Sequence, residues 1–309
     1  MNDYVAVSLG VICAGMGGEL FVRGAVGLAH WARVSPGIIG VTVAAFATSS
    51  PELSVAINAG MAGQPPIALG DVLGSNVVNV ALILALALVI SGIQSPRDSV
   101  KRDFPVAMLV PVVTGVLMLD GMLSRFDGGL MLSMFFAWLV AAVIEARKQR
   151  SVTEEVLGEH RGWFAVLSCI VGLGFLIAAG TLIVAGSRGI AMALGIDAFV
   201  IGATIVAVGT SVPELATTVI AKLLGHDEVS LGTILGSNIF NGVFIVAVAA
   251  MLSPITISWR EVVVTLVFGL VALVCTYPTR TGFIEGRRGV LLLVLYAVYL
   301  TTILQRQAA

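Results

Sequence analysis

Two stretches of this chain place a carboxylate where apolar residues dominate. "AFATSSPELSV" runs from Ala45 to Val55, and "AVGTSVPELAT" from Ala207 to Thr217. Each carries Thr and Ser, then Pro and Glu, inside a run long enough to cross a bilayer. An acid at that depth is costly unless it is used. Pro51 has no N–H, so the carbonyl of Ala47 loses its helical donor and the preceding turn is pushed apart. Ser49 or Ser50 can then cap a second half-helix with Pro51 in its first turn. Glu52 falls at that half-helix's positive end, which favours its ionised form. Further on, "LGSNVVN" puts Ser75 and Asn79 four residues apart on one helix face, and "LGSNIFN" does the same for Ser237 and Asn241. The combined set is two carboxylates, side-chain amides, hydroxyls and freed carbonyls, with no Cys, His or Met. Such all-oxygen ligation suits hard cations such as Ca²⁺ or Na⁺ and argues against zinc or copper. Glu52 and Glu214 together supply a charge of −2. One Ca²⁺ or two Na⁺ neutralise it, and a third Na⁺ leaves the site positive.

The elements that position these residues follow from composition. Of 309 residues, 58% are hydrophobic and 11% charged, which points to a polytopic membrane protein. A net charge of −1 gives no reason to expect a nucleic-acid partner. Met-Asn-Asp at the start is not the basic region of a secretory signal, so the first helix is expected to be retained. A span needs about 20 apolar residues. Ten candidates run approximately over 4–29, 37–62, 66–91, 104–120, 127–146, 163–187, 197–223, 229–252, 261–277 and 289–304. Ala47 lies about 16 Å into the second span at the helical rise, and Ser75 about 14 Å into the third. Both points are close to mid-bilayer, so the second, third, seventh and eighth spans are all expected to break there. The longest polar connection, 147–161, is too short for a separate domain. With the N-terminus outside, inner loops hold twelve Lys and Arg and outer segments four. The positive-inside rule therefore predicts both termini outside and the 147–161 loop in the cytoplasm, in a multi-pass protein of the cell membrane.

The chain also repeats itself at an offset of 162 residues. Gly40, Thr42, Ala45, Thr48 and Ser49 fall on Gly202, Thr204, Ala207, Thr210 and Ser211, and the Pro-Glu-Leu of 51–53 on that of 213–215. Gly70, Gly74, Ser75, Asn76 and Asn79 fall on Gly232, Gly236, Ser237, Asn238 and Asn241. Between 36–79 and 198–241, 18 of 44 positions are identical without a gap. Because the repeat spans five helices, the second copy must be inserted inverted. The expected architecture is all-α: ten transmembrane helices in two inverted five-helix halves, 1–150 and 151–309, forming one integrated membrane domain. Inverted repeats with interrupted helices point to a secondary transporter with its site at the midplane. Two bare carboxylates at that depth oppose any rearrangement of an empty carrier, so exchange is expected rather than uniport.

At these residues the sequence resembles the cation/calcium antiporter family, whose best-known members are the sodium/calcium exchangers. The resemblance rests on "GVTVAAFATSSPEL…LGDVLGSNVVN" and "GATIVAVGTSVPEL…LGTILGSNIFN". It implies alternating access, with Na⁺ entry driving Ca²⁺ out. It implies that Glu52 and Glu214 ligate Ca²⁺ and that Thr48 and Thr210 offer it carbonyls. Flanking Na⁺ positions would use Ala45, Ser49 and Ser75 on one side, and Ala207, Ser211 and Ser237 on the other. Asn79 and Asn241 would complete the centre, and the first and sixth spans would be long gating helices. The chain departs from the pattern in three places. Ala47 stands where glycine is usual before Thr-Ser. Asn241 stands where many sodium/calcium exchangers carry Asp. The short cytoplasmic loop has no regulatory calcium-binding insert.

Other features have plainer readings. Cys13, Cys169 and Cys275 lie in apolar runs without metal-like spacing and read as small core residues. Glu19 and Arg23 are four apart and can pair as a structural or gating element. The glycines of "GMGGEL" suit close helix packing. His226, Asp227 and Glu228 read as a solvated loop cluster, and Thr217 and Thr218 as satisfying backbone. Proton-coupled or K⁺-dependent antiport on the same scaffold stays open, and so does a cation channel. No nucleophile or His-metal constellation suggests an enzyme. No cofactor and no obligate protein partner is expected; the ions and the bilayer are the partners.

Overall fold

A computed structural model describes residues 3–61, 65–97, 99–153, 162–193 and 207–307. Helix occupies each of the ten predicted stretches over its described residues. The first half of the seventh span, with Gly202 and Thr204, lies outside the described residues, as does 154–161 of the predicted loop. By length and apolarity, five described helices can cross a membrane, and a bent pair, Pro36–Thr48 and Ser50–Met61, is a sixth. Burial ranks the five. The window in Ala68–Ile90 is 72% buried and that in Asp227–Leu252 is 83% buried, whereas those in Arg125–Arg147, Gly162–Ala179 and Gly286–Gln305 are 22–28% buried. The third and eighth spans are therefore the centre of the bundle, and the fifth, sixth and tenth are its periphery. Large apolar side chains such as Phe126, Trp163, Phe164 and Val290 point outward, as a lipid-facing surface requires.

The second span starts at Ser35, whose hydroxyl accepts from the Ile38 N–H, with Pro36 in the first turn. It bends by 43° at Ser49. The predicted break there is correct, but the predicted cap is not. Ser50 Oγ bonds back to the Phe46 carbonyl, and Ser49 Oγ turns away to the other half of the chain. The third and eighth spans also differ from expectation. Helix continues through Ser75 and Asn79, then widens into π-helix over Asn79–Leu84, and Phe240–Ile245 does the same in the eighth span. Widening each turn by one residue keeps the backbone hydrogen-bonded within the span, which an open break in lipid does not.

The halves interlock crosswise. Ile93–Gln94 pairs antiparallel with Phe283–Ile284, and Met122–Leu123 with Ile255–Thr256. An offset of 162 carries residue 93 to 255 and residue 122 to 284, so the repeat exchanges the two pairings. The first helix, Asp3–Ala32, lies along Gly162–Ala193 at very short range. A Cβ on Gly172 would stand 2.5 Å from the Phe21 nitrogen and 2.8 Å from the Gly17 carbonyl oxygen, so packing is what these glycines supply. Glu19 and Arg23 do pair, at 2.7 Å, on the exposed side of the first helix. Cys169 is buried, while Cys13 and Cys275 are half-buried. Asp227 is no solvated loop residue: it opens the eighth span and takes Lys222 Nζ at 2.7 Å, while Lys222 also bonds the Gly92 carbonyl.

Candidate ion-binding site

The two helix breaks have the same local geometry. Ser49 has φ −84° and ψ 12°, and Ser211 has φ −81° and ψ 8°. Both lie in the sparsely populated bridge region between helix and strand conformations. In each, the serine N–H closes a helical bond to residue 45 or 207, and its carbonyl accepts from residue 53 or 215. The proline between them offers no donor. The chain therefore turns without losing both helix ends, and the serine side chain is left free to act elsewhere.

Each serine reaches the glutamate of the other repeat. Ser49 Oγ donates to Glu214 Oε1 at 2.8 Å, and Ser211 Oγ donates to Glu52 Oε1 at 3.3 Å. Ser237 Oγ donates to the same Glu214 oxygen at 3.2 Å. Ser75 Oγ lies 3.5 Å from the Ala207 carbonyl and 3.5 Å from Thr210 Oγ1. Asn79 Nδ2 donates to Asn238 Oδ1 at 3.1 Å. Below them Asn76 and Asn238 exchange bonds, each amide donating 3.2 Å to the other's backbone carbonyl. Apart from the Ser237–Glu214 bond within the second repeat, these contacts join the two repeats.

All twelve residues singled out by sequence are buried, namely Ala45, Thr48, Ser49, Glu52, Ser75, Asn79, Ala207, Thr210, Ser211, Glu214, Ser237 and Asn241. The hydrogen bonds link Ser49, Ser237 and Glu214, pair Ser211 with Glu52, and join Ser75 to Thr210 and Ala207. Thr48 Oγ1 bonds the Ala44 and Ala45 carbonyls at 3.0 and 3.4 Å and also interacts with the Glu214 carboxylate of the other repeat. Asn241 makes no side-chain bond among the described residues. Thr217 and Thr218 do not satisfy backbone: among the described residues their buried hydroxyls have no partner.

Sequence reasoning gave no role to Asn76, Asn238 or Asp71. The asparagines were visible as repeat identities. Asp71 has no acidic counterpart in the second repeat, and the signal that finds it is an acid within an apolar run. It is 1% exposed, and its Oδ1 accepts from Thr210 Oγ1 at 3.3 Å.

Among the described residues several buried acceptor oxygens have no donor: Glu52 Oε2, Glu214 Oε2, Asn79 Oδ1, Asn241 Oδ1 and Asp71 Oδ2. Buried polar atoms are almost always satisfied, so a cluster of unsatisfied oxygens calls for a positive ligand. Among the described residues no group of three or more His, Cys, Asp or Glu is placed to hold a metal ion. Ligation by hydroxyl, amide and carbonyl oxygens around two carboxylates is what the geometry offers, and hard cations take that set.

A family model described as "Sodium/calcium exchanger protein" matches this chain twice, over residues 3–144 and 164–305. The chain belongs to the sodium/calcium exchanger family. That the model matches each half separately is independent support for an internal duplication. Members of this family are cation/Ca²⁺ antiporters embedded in membranes, not enzymes. The inner membrane protein YrbG of Escherichia coli (strain K12) is 35% identical over 230 residues, covering 72% of this chain and 71% of that protein. The sodium/calcium exchanger MaX1 of Methanosarcina acetivorans is 27% identical over 97% of this chain and 98% of its own. A solved structure of the sodium-calcium exchanger NCX_Mj, soaked with 100 mM Na⁺ and 10 mM Sr²⁺, superposes with a TM-score of 0.84 at 29% identity, covering 97% of each chain.

Proposed function

We propose that this exchanger is driven by Na⁺ and exports Ca²⁺ by alternating access, with Glu52 and Glu214 as the shared Ca²⁺ ligands. The observation that carries the reading is the crosswise pairing of Ser49 with Glu214 and Ser211 with Glu52, each carboxylate keeping a second oxygen free. A site assembled from both repeats changes whenever one repeat moves against the other, so ion occupancy and facing direction are coupled. Ser75, Ser237, Ala45 and Ala207 supply the flanking oxygens for Na⁺, Thr48 and Thr210 supply carbonyls at the breaks, and Asn79 and Asn241 close the centre. The many neutral oxygens favour Na⁺ over H⁺ as the coupling ion, because a proton needs only the acids. The closely packed first and sixth helices are the gating pair. Both termini face outward across the cell membrane.

Proteoliposomes test the coupling ion. Na⁺-loaded vesicles diluted into Na⁺-free buffer should accumulate radiolabelled Ca²⁺, and an imposed pH gradient without Na⁺ should not. Uptake that follows the pH gradient and ignores Na⁺ would move the protein to a proton-coupled mechanism. Currents that persist without any counter-ion would replace antiport by a channel.

A further inference from the structure

The first helix carries a charge pair near its middle, on the side turned away from the rest of the bundle. We propose that this side is the contact between two copies of the chain, and that Glu19 and Arg23 close a ring of four charges with their counterparts in the second copy. Such an assembly forms whichever ion drives exchange.

The first helix, Asp3–Ala32, has 30 residues and is about 45 Å long at the helical rise. Glu19 sits about 2 Å past its midpoint and Arg23 about 8 Å past it. Both therefore lie within a hydrocarbon core about 30 Å thick. The Glu19 and Arg23 side chains are 55% and 65% exposed. Arg23 gives Nε and Nη2 to a single oxygen, Glu19 Oε1, at 3.1 and 2.7 Å. Glu19 Oε2 and Arg23 Nη1 take no part in that contact. Charged groups at this depth normally face the interior of a bundle, because lipid offers them no partner. Pairing along one helix removes only part of the cost, since each head is still open on its outer side.

The pair belongs to a stripe. Val5, Leu9, Ile12, Met16, Glu19 and Arg23 are all exposed, and their spacing alternates strictly between four and three residues. That is a heptad repeat, with Leu9, Met16 and Arg23 in one seam position and Val5, Ile12 and Glu19 in the other. The opposite side of the helix is already occupied. A Cβ on Gly17 or Gly24 would come within 2.8 Å of the sixth helix, and one on Gly18 within 2.6 Å of Ile220 in the seventh span. The sixth helix shows what exposure to lipid alone requires. The repeat carries Glu19 to Thr181 and Arg23 to Ala185, and the matching exposed stripe over Leu167, Val171, Gly174, Ala178 and Thr181 holds no charge.

Charge complementarity selects a second copy as the occupant. Two copies in one membrane share an orientation, so a two-fold axis along the membrane normal sets their first helices parallel. In a parallel seam each Glu19 packs beside Arg23 of the second copy, one turn along. Glutamate and arginine then alternate around a ring of two and two with no net charge. Glu19 Oε2 and Arg23 Nη1, which the pair within one helix leaves out, meet across the axis. Helices in lipid gain little from apolar contact, so a polar layer of this kind supplies both adhesion and register. Val5, Leu9, Ile12 and Met16 pack along the remainder of the seam.

Cross-linking of the full chain in liposomes tests the seam. Cys13, Cys169 and Cys275 are replaced by Ala, and either Ile12→Cys or Val294→Cys is added. Val294, on the tenth span, is 56% exposed against 58% for Ile12, so the two cysteines differ in place and not in access. A disulfide needs Cα atoms within about 7 Å, which facing seam positions supply. Oxidised at a low ratio of protein to lipid, Ile12→Cys should run as a covalent dimer and Val294→Cys as a monomer. Adding Glu19→Arg to Ile12→Cys puts four arginines in the ring and should cut the dimer about tenfold or more. Adding Arg23→Glu as well restores the alternation and should restore the dimer. Thermal unfolding midpoints check that each variant is folded. A folded Ile12→Cys protein that stays monomeric would overturn the proposal, and so would a dimer yield unmoved by Glu19→Arg. Equal yields at Ile12 and Val294 would mark random collision and overturn it too. Where Glu19→Arg does not fold, the double reversal decides: it should cross-link as the Ile12→Cys parent does, and a folded monomer would overturn the seam.

Discussion

Gly236→Ala should disable the site from outside it. Gly236 lies on the eighth span against the first half of the second. A Cβ there would stand 2.6 Å from Ala45 Cβ and 2.8 Å from the Val41 carbonyl carbon, and closer still to the Val41 oxygen. Ordinary carbon contacts are about 3.5–4.0 Å, so the two spans must separate by about 1 Å. The obstacle is largely backbone and has no rotamer to change. Overpacking of this kind costs about 1–3 kcal/mol. The next residue, Ser237, donates to Glu214 at 3.2 Å. With Glu214 held to Ser49 of the second span at 2.8 Å, a 1 Å shift of the eighth span puts Ser237 at about 4.2 Å from it, beyond hydrogen bonding. Gly129→Ala is the control, because no atom lies within 4 Å of a Cβ built there. It should match wild type or gain up to about 1 kcal/mol from helix propensity. The assay is the initial rate of radiolabelled Ca²⁺ uptake against Ca²⁺ concentration, with the thermal midpoint in detergent alongside. Gly236→Ala should lower both apparent affinity and midpoint. Wild-type affinity and midpoint in that variant would refute the claim that glycine-mediated approach sets the site.

Further predictions concern the crosswise bonds. Ser49→Ala removes a 2.8 Å bond to a carboxylate, worth about 1.5–3 kcal/mol, and should weaken apparent Ca²⁺ affinity about 10- to 100-fold. Ser211→Ala, across a 3.3 Å contact, should weaken it less, and equal effects would count against the geometry. Asn238→Ala removes the bond to the Asn76 carbonyl and the acceptor for Asn79, whereas Asn76→Ala removes one donor bond. At about 1 kcal/mol per bond, Asn238→Ala should lower the thermal midpoint about twice as far. A larger drop for Asn76→Ala would contradict the assignment.

The sequence made some of this legible and hid the rest for physical reasons. Glu52 and Glu214 were visible because an acid beside Ser and Pro in an apolar run is improbable, and duplicating it is more so. The bend at Ser49 followed from Pro51. The partner of Ser49 did not, because it lies 165 residues away and only folding brings the halves together. A local rule assigned Ser49 as a possible cap, and a tertiary carboxylate won. The π turns at Asn79–Leu84 and Phe240–Ile245 escaped because i→i+5 bonding leaves no periodic mark that distinguishes a widened helix from a broken one. The paired segments 93–94 and 283–284 are too short to alternate. Asp71, buried with Thr210 as its hydroxyl donor, has Thr233 at the matching position of the second repeat, so the duplication does not point to it.

The central claim is that one ion site is built from both repeats, with Glu52 and Glu214 as equal partners. Na⁺-driven Ca²⁺ uptake by Glu52→Gln and Glu214→Gln, each checked for a wild-type thermal midpoint, tests it most directly. Either substitution alone should abolish uptake, since each removes half of the carboxylate charge that balances Ca²⁺. Substantial uptake by one variant while the other is dead would mean that a single repeat carries the ion, and would contradict the shared site.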